Sequence, residues 1–270
     1  MPRTTSLLII AVLVLLEHVA ALGPDLPALL TAGDFVILAK AGITNAGVTN
    51  VDKSEITGDI GVYPGTEASL TGFSLAMDTS LEPAGQFATS VQQVEGTGRV
   101  YAANYALPTP SKMEAASQHM DLAYTNASSA ACATPATPGG ANFLQVSSCT
   151  TYDELNLHGL LGPGLYKWEG ALTTSEDVTL SGGENDTWIF HSAGAINIAA
   201  NTSVILNGGA KAENIVWVTA GAMTVGENAH LEGIVIVKSA ATFVTGASLR
   251  GRLLAETVTL KKNTITPPSE

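Results

Sequence analysis

The feature that most constrains this chain is a repeat in its C-terminal third. WIFHSAGAIN (Trp188–Asn197), VWVTAGAMT (Val216–Thr224), VIVKSAATF (Val235–Phe243) and LLAETVT (Leu253–Thr259) align beneath one another. Each is an apolar strand, a corner of small residues, and a second strand rich in Ala, Thr and Asn. A unit of about twenty residues buries no core alone, so successive units must stack and share one. The pattern predicts a β-solenoid, in which equivalent side chains form ladders along the stack.

A third strand completes each coil: Val178-Thr179-Leu180, Val204-Ile205-Leu206, His230-Leu231-Glu232 and Ser248-Leu249-Arg250. The cross-section is therefore triangular, with side chains alternating inward and outward along every edge. The first face (Thr187–Phe190, Ile215–Val218, Ile234–Val237, Leu253-Leu254) is apolar at every position, so its outer side needs a cover. Met113, Ala116, Met120, Ala123, Tyr124 and Ala127 recur at helical spacing behind Thr109-Pro110-Ser111 and supply one. In the third face the last two strands turn charged or polar residues outward.

The second face differs from both. With Leu172, Ile196, Met223, Phe243 and Val258 inward, its outward pairs are Ala171/Thr173, Ala195/Asn197, Ala222/Thr224, Thr242/Val244 and Thr257/Thr259. An N-terminal coil, with Ile43 inward, adds Gly42/Thr44. None of these is charged. Rungs about 4.8 Å apart and outward residues about 6.7 Å apart make a grid of methyls and short polar groups. An extensive, weakly polar face is a contact surface, and its ligand should be extended, uncharged and periodic. Ice has all three properties.

The fold expected is mainly β, a right-handed irregular β-solenoid with one long helix along one face. Residues 74–150, without evident rungs, are expected to hold that helix and a capping insertion. An insertion near Asn207–Lys211 accounts for the longer spacing between Ile189 and Trp217, taken as equivalent, as are Trp217 and Ile236 one coil later. Residues 1–21 read as a secretory leader: Arg3, then the apolar run SLLIIAVLVLL (Ser6–Leu16), then small residues up to Ala21. The rest, 22–270, reads as one domain, secreted and monomeric. Secretion permits a Cys132–Cys149 disulfide and glycans at the sequons Asn126, Asn185 and Asn201.

Charge and motifs narrow the function. A net charge of −12 argues against nucleic acid and against anionic membrane surfaces. The five histidines (His18, His119, His158, His191, His230) are scattered, and the acidic residues Glu176-Asp177 and Glu184/Asp186 sit at turns without stacking across rungs. Neither a nucleophile elbow nor metal-ligand spacing occurs, so no catalysis, cofactor or metal is expected. The alternative is a secreted cell-wall or polysaccharide-binding adhesion protein using the same face, although sugar platforms ordinarily expose aromatic rings.

Several motifs together resemble the secreted fungal and bacterial ice-binding proteins: FVILAKAGITN (Phe35–Asn45), EITGDIGVYP (Glu55–Pro64) and LTGFSL (Leu70–Leu75). Further along come YAANY with PTPS (Tyr101–Ser111), GPGLYKW (Gly162–Trp168), DTWIFH (Asp186–His191), NIVWVTAGA (Asn214–Ala222), LEGIVIVK (Leu231–Lys238) and SLRGRLLAETVTL (Ser248–Leu260). The resemblance covers essentially the whole mature chain. It implies an irregular β-helix with one long helix, first and last coils adjacent in space, adsorption to ice, thermal hysteresis and inhibited recrystallisation.

Overall fold

The computed structural model describes residues 23–46, 53–90, 94–95, 98–130, 149–151 and 156–268. The expected leader, residues 1–21, and the Cys132–Cys149 pairing fall outside the described residues. In chain order the strands are β1 (Phe35–Asn45), β2 (Glu55–Thr57), β3 (Asp59–Val62), β4 (Leu70–Thr71), β5 (Ala76–Met77), β6 (Ala88–Thr89), β7 (Val94–Glu95) and β8 (Val100–Ala102). Helix α1 (Thr109–Ser129) follows, then β9 (Cys149–Thr151), β10 (Gly159–Leu161), β11 (Gly164–Trp168), β12 (Leu172–Thr174), β13 (Val178–Ser181), β14 (Trp188–Ser192), β15 (Ile196–Ile198) and β16 (Val204–Asn207). The last are β17 (Ile215–Thr219), β18 (Met223–Val225), β19 (His230–Phe243), β20 (Ser248–Leu260) and β21 (Thr264–Thr266).

Parallel pairing arranges these strands as three faces of a solenoid. The first face runs β9, β11, β14, β17, the middle of β19 and of β20, the first half of β1, β3 and β8. The second runs β12, β15, β18, the ends of β19, β20 and β1, then β4. The third runs β10, β13, β16, the starts of β19 and β20, then β21, β2 and β7. Strands β19 and β20 each turn through two corners unbroken and so serve all three faces. The chain does not stack in order: β1 lies against β20, placing the first coil beside the last.

Inside, one column shows how the register is fixed. Tyr166, Phe190, Trp217, Val235, Leu253, Ile37, Ile60 and Val100 stack in that order along the inner side of the first face. All belong to one buried cluster. Phe190 and Trp217 overlap at 4.2 Å between ring centroids and 16° between planes, and Tyr166 and Phe190 at 5.1 Å. Offset stacking suits a rung spacing of this size. The indole N–H of Trp217 donates to the Glu232 carbonyl at 2.9 Å, so the ring is buried without an orphaned donor. This register corrects the sequence alignment by one residue: Trp217 lies beside Val235, not Ile236, and Ile189 beside Val216, not Trp217. The indole sits inside the coil rather than under the helix.

The outer side of the first face is covered as expected. Met113, Ala116, Met120, Ala123 and Ala127 of α1 pack on Leu165, Ile189, Val216, Val218, Ile234, Ile236, Leu254 and Leu38 in a second buried cluster. Gly61 makes room for this: a Cβ there would stand 2.5 Å from the Met113 terminal methyl. The added residues before β17 form a turn and a short 3-10 helix, Ala212–Asn214, close to the expected insertion. One stretch departs from expectation. The stretch expected to lack rungs supplies β7 and β8, which pair in parallel with β2 and β3. Their brevity hides them, since two or three residues show no period of their own. Strands β5 and β6 pair antiparallel, β6 adding to β8.

Candidate functional site

The second face is built from strands with two inward positions and one outward position between them. Leu172/Thr174, Ile196/Ile198, Met223/Val225, Ala241/Phe243 and Val258/Leu260 are buried pairs. Thr173, Asn197, Thr224, Thr242 and Thr259 stand between them and face out. The strand register carries this column further: Thr173 beside Asn197, then Thr224, Thr242, Thr259, Thr44 and Thr71. Asn156 bridges to Thr173 at the other end, but its amide is engaged by Ser175, donating to the hydroxyl at 2.7 Å and accepting from the backbone N–H at 3.0 Å. Every residue of the column from Thr173 to Thr71 except Asn197 is threonine.

A second outward column lies one pleat away: Ala171, Ala195, Ala222, Ala240, Thr257, Gly42 and Ser69. The Leu172 N–H donates to the Ala195 carbonyl at 2.8 Å, and that of Ile196 to the Ala222 carbonyl at 2.9 Å. Ala240 pairs with Thr257, and Thr257 with Gly42. Gly42 is glycine because Ser69, the residue leading into β4, passes close by; a Cβ would stand 2.8 Å from the Ser69 carbonyl oxygen. Neither column contains an ionisable side chain.

This geometry corrects one rung. Met223 pairs with Ala241, and Phe243 with Val225. The outward pair of β19 is therefore Ala240/Thr242, and Val244 lies past the strand end at the next corner. Matching Phe243 to Met223 follows the larger apolar residue, whereas both Ala241 and Phe243 point inward. Thr44, Ala171, Thr173, Ala195, Asn197, Ala222, Thr224, Thr242, Thr257 and Thr259 all fall on the two columns. Ala240, Ser69 and Thr71 are additions; Leu70-Thr71 repeats Ile43-Thr44, and that echo is the available signal.

The columns are held by backbone-level devices at the corners. Ser192 donates to the Gly170 carbonyl at 2.7 Å, and Thr219 to that of Gly194; both are buried. Gly221 donates its N–H to Gly194 at 2.9 Å, and Gly194 to Gly170 at 3.0 Å. At the β4 end the Thr71 hydroxyl donates to that of Thr44 at 3.0 Å. Short branched side chains on a β-strand have few rotamers, so the grid presents its methyls and hydroxyls in near-fixed positions.

The remaining candidate residues lie elsewhere. On the third face the outward side is uneven: Leu160 is 70% exposed and Ile205 44%, with Thr179 between. Further along that face Glu232 accepts from His230 Nε2 at 3.1 Å and from Arg250 Nε at 2.8 Å. This charge-lined, irregular surface lacks the repetition of the second face. His191 lies on the first face, where burial, then the nearby Lys167, hold its pKa below the ordinary histidine value. Among the described residues no group of three His, Cys, Asp or Glu is placed to hold a metal ion. The three tryptophans are buried, leaving none for stacking on a sugar. Asn126, Asn185 and Asn201 are exposed. No helix of the described residues is long and apolar enough to cross a membrane.

Comparison with known proteins gives a consistent result. The family model described as Ice-binding-like matches residues 37–266. The chain is 42% identical over 244 residues to an ice-binding protein of Typhula ishikariensis, covering 88% of each. It is 35% identical over 250 residues to an ice-binding protein of Flavobacterium frigoris, covering 90% of this chain and 77% of that one. In structure it is similar to an ice-binding protein from an Arctic yeast described for its antifreeze activity, with a TM-score of 0.77 and 34% identity. That match covers 91% of this chain and 95% of the other.

Proposed function

The chain belongs to the ice-binding protein family, and on that premise we propose that it adsorbs to ice through the second face of its solenoid. The carrying observation is the column from Thr173 to Thr71, unbroken in register and uncharged along its length. Threonine presents a methyl and a hydroxyl from one stiff side chain. The methyls limit how water is ordered above the face, and the hydroxyls give that water fixed partners. Rungs about 4.8 Å apart impose a period on it. Water so ordered merges with a crystal surface at little further entropic cost, because the order exists before contact. Alanines in the adjoining column let that water lie close across a width of two residues.

Adsorption of this kind pins the ice front between bound molecules. The expected consequences are thermal hysteresis and inhibited recrystallisation. The protein acts outside the cell after removal of residues 1–21, without an enzymatic step, and meets ice as a monomer. Exposed sequons at Asn126, Asn185 and Asn201 accommodate glycans.

The test compares the mature protein with Thr224→Tyr, at the centre of the column, and Thr179→Tyr, on the third face. We expect hysteresis and crystal shaping in the wild type, loss of most of the hysteresis in the first variant, and little change in the second. Equal activity in all three would move the contact to another face. No hysteresis or shaping in the wild type would remove the ice reading itself.

A further inference from the structure

The first and last coils meet along β1 and β20, and their register slips where the first face bends into the second. Val237 and Ala39 both lie beside Ala255, whereas Ala240 and Gly42 both lie beside Thr257. Strands β19 and β1 therefore place two residues in the bend, Lys238-Ser239 and Lys40-Ala41. Strand β20, between them, places only Glu256. Two matching oversized bends flank a short one, and each leads within a few residues to a threonine of the long column.

Helix α1 reaches over these bends through Asp121. Its carboxylate accepts from Lys40 Nζ at 2.7 and 2.6 Å and from Lys238 Nζ at 3.2 Å. Lys238 also lies over the Tyr124 ring, 5.1 Å from its centroid. Glu256, exposed on the intervening rung, lines the same hollow. A two-residue bend has more conformations open to it than a one-residue bend, so tethering both lysines to one rigid helical position selects the same conformation in each. We propose that Asp121 is a positioning residue for ice adsorption: it aligns the N-terminal rungs, Thr44 and Thr71, with Thr242 and Thr259 of the C-terminal coils. The proposal rests on the second face being the ice contact.

Partly exposed ion pairs add little to global stability, whereas a periodic contact is sensitive to sub-ångström misplacement. The two effects separate in one experiment on the mature protein, measuring hysteresis and melting temperature together. Asp121→Asn is expected to reduce hysteresis to about half or less, with melting within about 2 °C of wild type. Asp121→Glu, which can still reach both lysines, restores most of it. Thr44→Tyr adds little further loss in the Asp121→Asn background, because its rung is already out of line. Ala195→Tyr, on distant rungs, keeps its full effect there.

Wild-type hysteresis in Asp121→Asn overturns the proposal. So does an undiminished effect of Thr44→Tyr in that background, or a loss that simply follows melting temperature. If Asp121→Asn fails to fold, Lys238→Met removes one arm of the tether and is judged by the same outcomes. A wild type without hysteresis overturns the ice assignment, and this proposal with it.

Discussion

Gly221→Ala isolates what the corner glycines do. Gly221 lies between β17 and β18, and a Cβ built there stands 2.5 Å from the Gly194 carbonyl oxygen, 2.7 Å from its carbon and 2.8 Å from the Ala195 nitrogen. These atoms are backbone, and that carbonyl already accepts the Gly221 N–H at 2.9 Å. No flexible side-chain end is available to move aside. The backbone of one coil must shift away from the next, which places the substitution among overpacking changes costing about 1–3 kcal/mol. The upper half of that range is expected, because the strained contact is also hydrogen-bonded. For a chain of this size that lowers the melting temperature by roughly 4–6 °C. Gly162→Ala is the control: nothing lies within 4 Å of the position its Cβ would take, and the change is expected to be neutral or stabilising by about 0.4–1 kcal/mol. Thermal melts followed by circular dichroism, with urea titrations for the free energies, decide the matter. A Gly221→Ala protein as stable as Gly162→Ala would refute the close-approach argument. The corner also sets the spacing of Ala195 and Ala222, so hysteresis should fall further than in a variant matched for melting temperature.

Two further outcomes test the rest of the scaffold. Met113, fully buried where α1 meets Phe35 and Gly61, should cost about 2–5 kcal/mol when replaced by alanine, measured as a shift in urea midpoint. His191 is held neutral by burial and by Lys167, and its Nδ1 lacks a hydrogen-bond partner. Its folded pKa lies below its unfolded one, so the unfolded chain takes up the proton first as pH falls. Stability should therefore decline as pH drops from neutral through the ordinary histidine range, and His191→Gln should flatten that part of the profile in urea titrations at fixed pH.

How much of the fold is legible in the sequence depends on where its signals are local. The helix over Thr109–Ser129 and its apolar stripe rest on spacing within one segment, and both match the structure. The apolar first face is recognisable because two buried sides leave no alternation to misread. Register is harder. The bend holding Lys238 and Ser239 is one residue longer than that holding Glu256, and pattern alone cannot distinguish an extra corner residue from a strand shifted by one. That residue is enough to put Val244 on the face and take Ala240 off it. Strands β7 and β8 escape pattern for another reason: they are defined by partners in β2 and β3, far along the chain. With the register corrected, the outward column is more regular than periodicity suggests, with Thr242 beside Thr224 and Thr71 added.

The placement of β1 against β20 also has a consequence for how the molecule is made. A ribosome releases Phe35–Asn45 long before Ser248–Leu260 exists, yet these segments are partners. Until the last coil emerges, β1 has an open edge of unpaired amides and carbonyls, the kind of edge that recruits strands from other chains. Pairing across nearly the full chain length also makes assembly slow compared with a solenoid stacked in order. A chain truncated before Ser248 would lose more than one rung. It would leave the coil bearing Thr44 without its neighbour and divide the surface in two, so completion of synthesis is itself a precondition for a continuous contact.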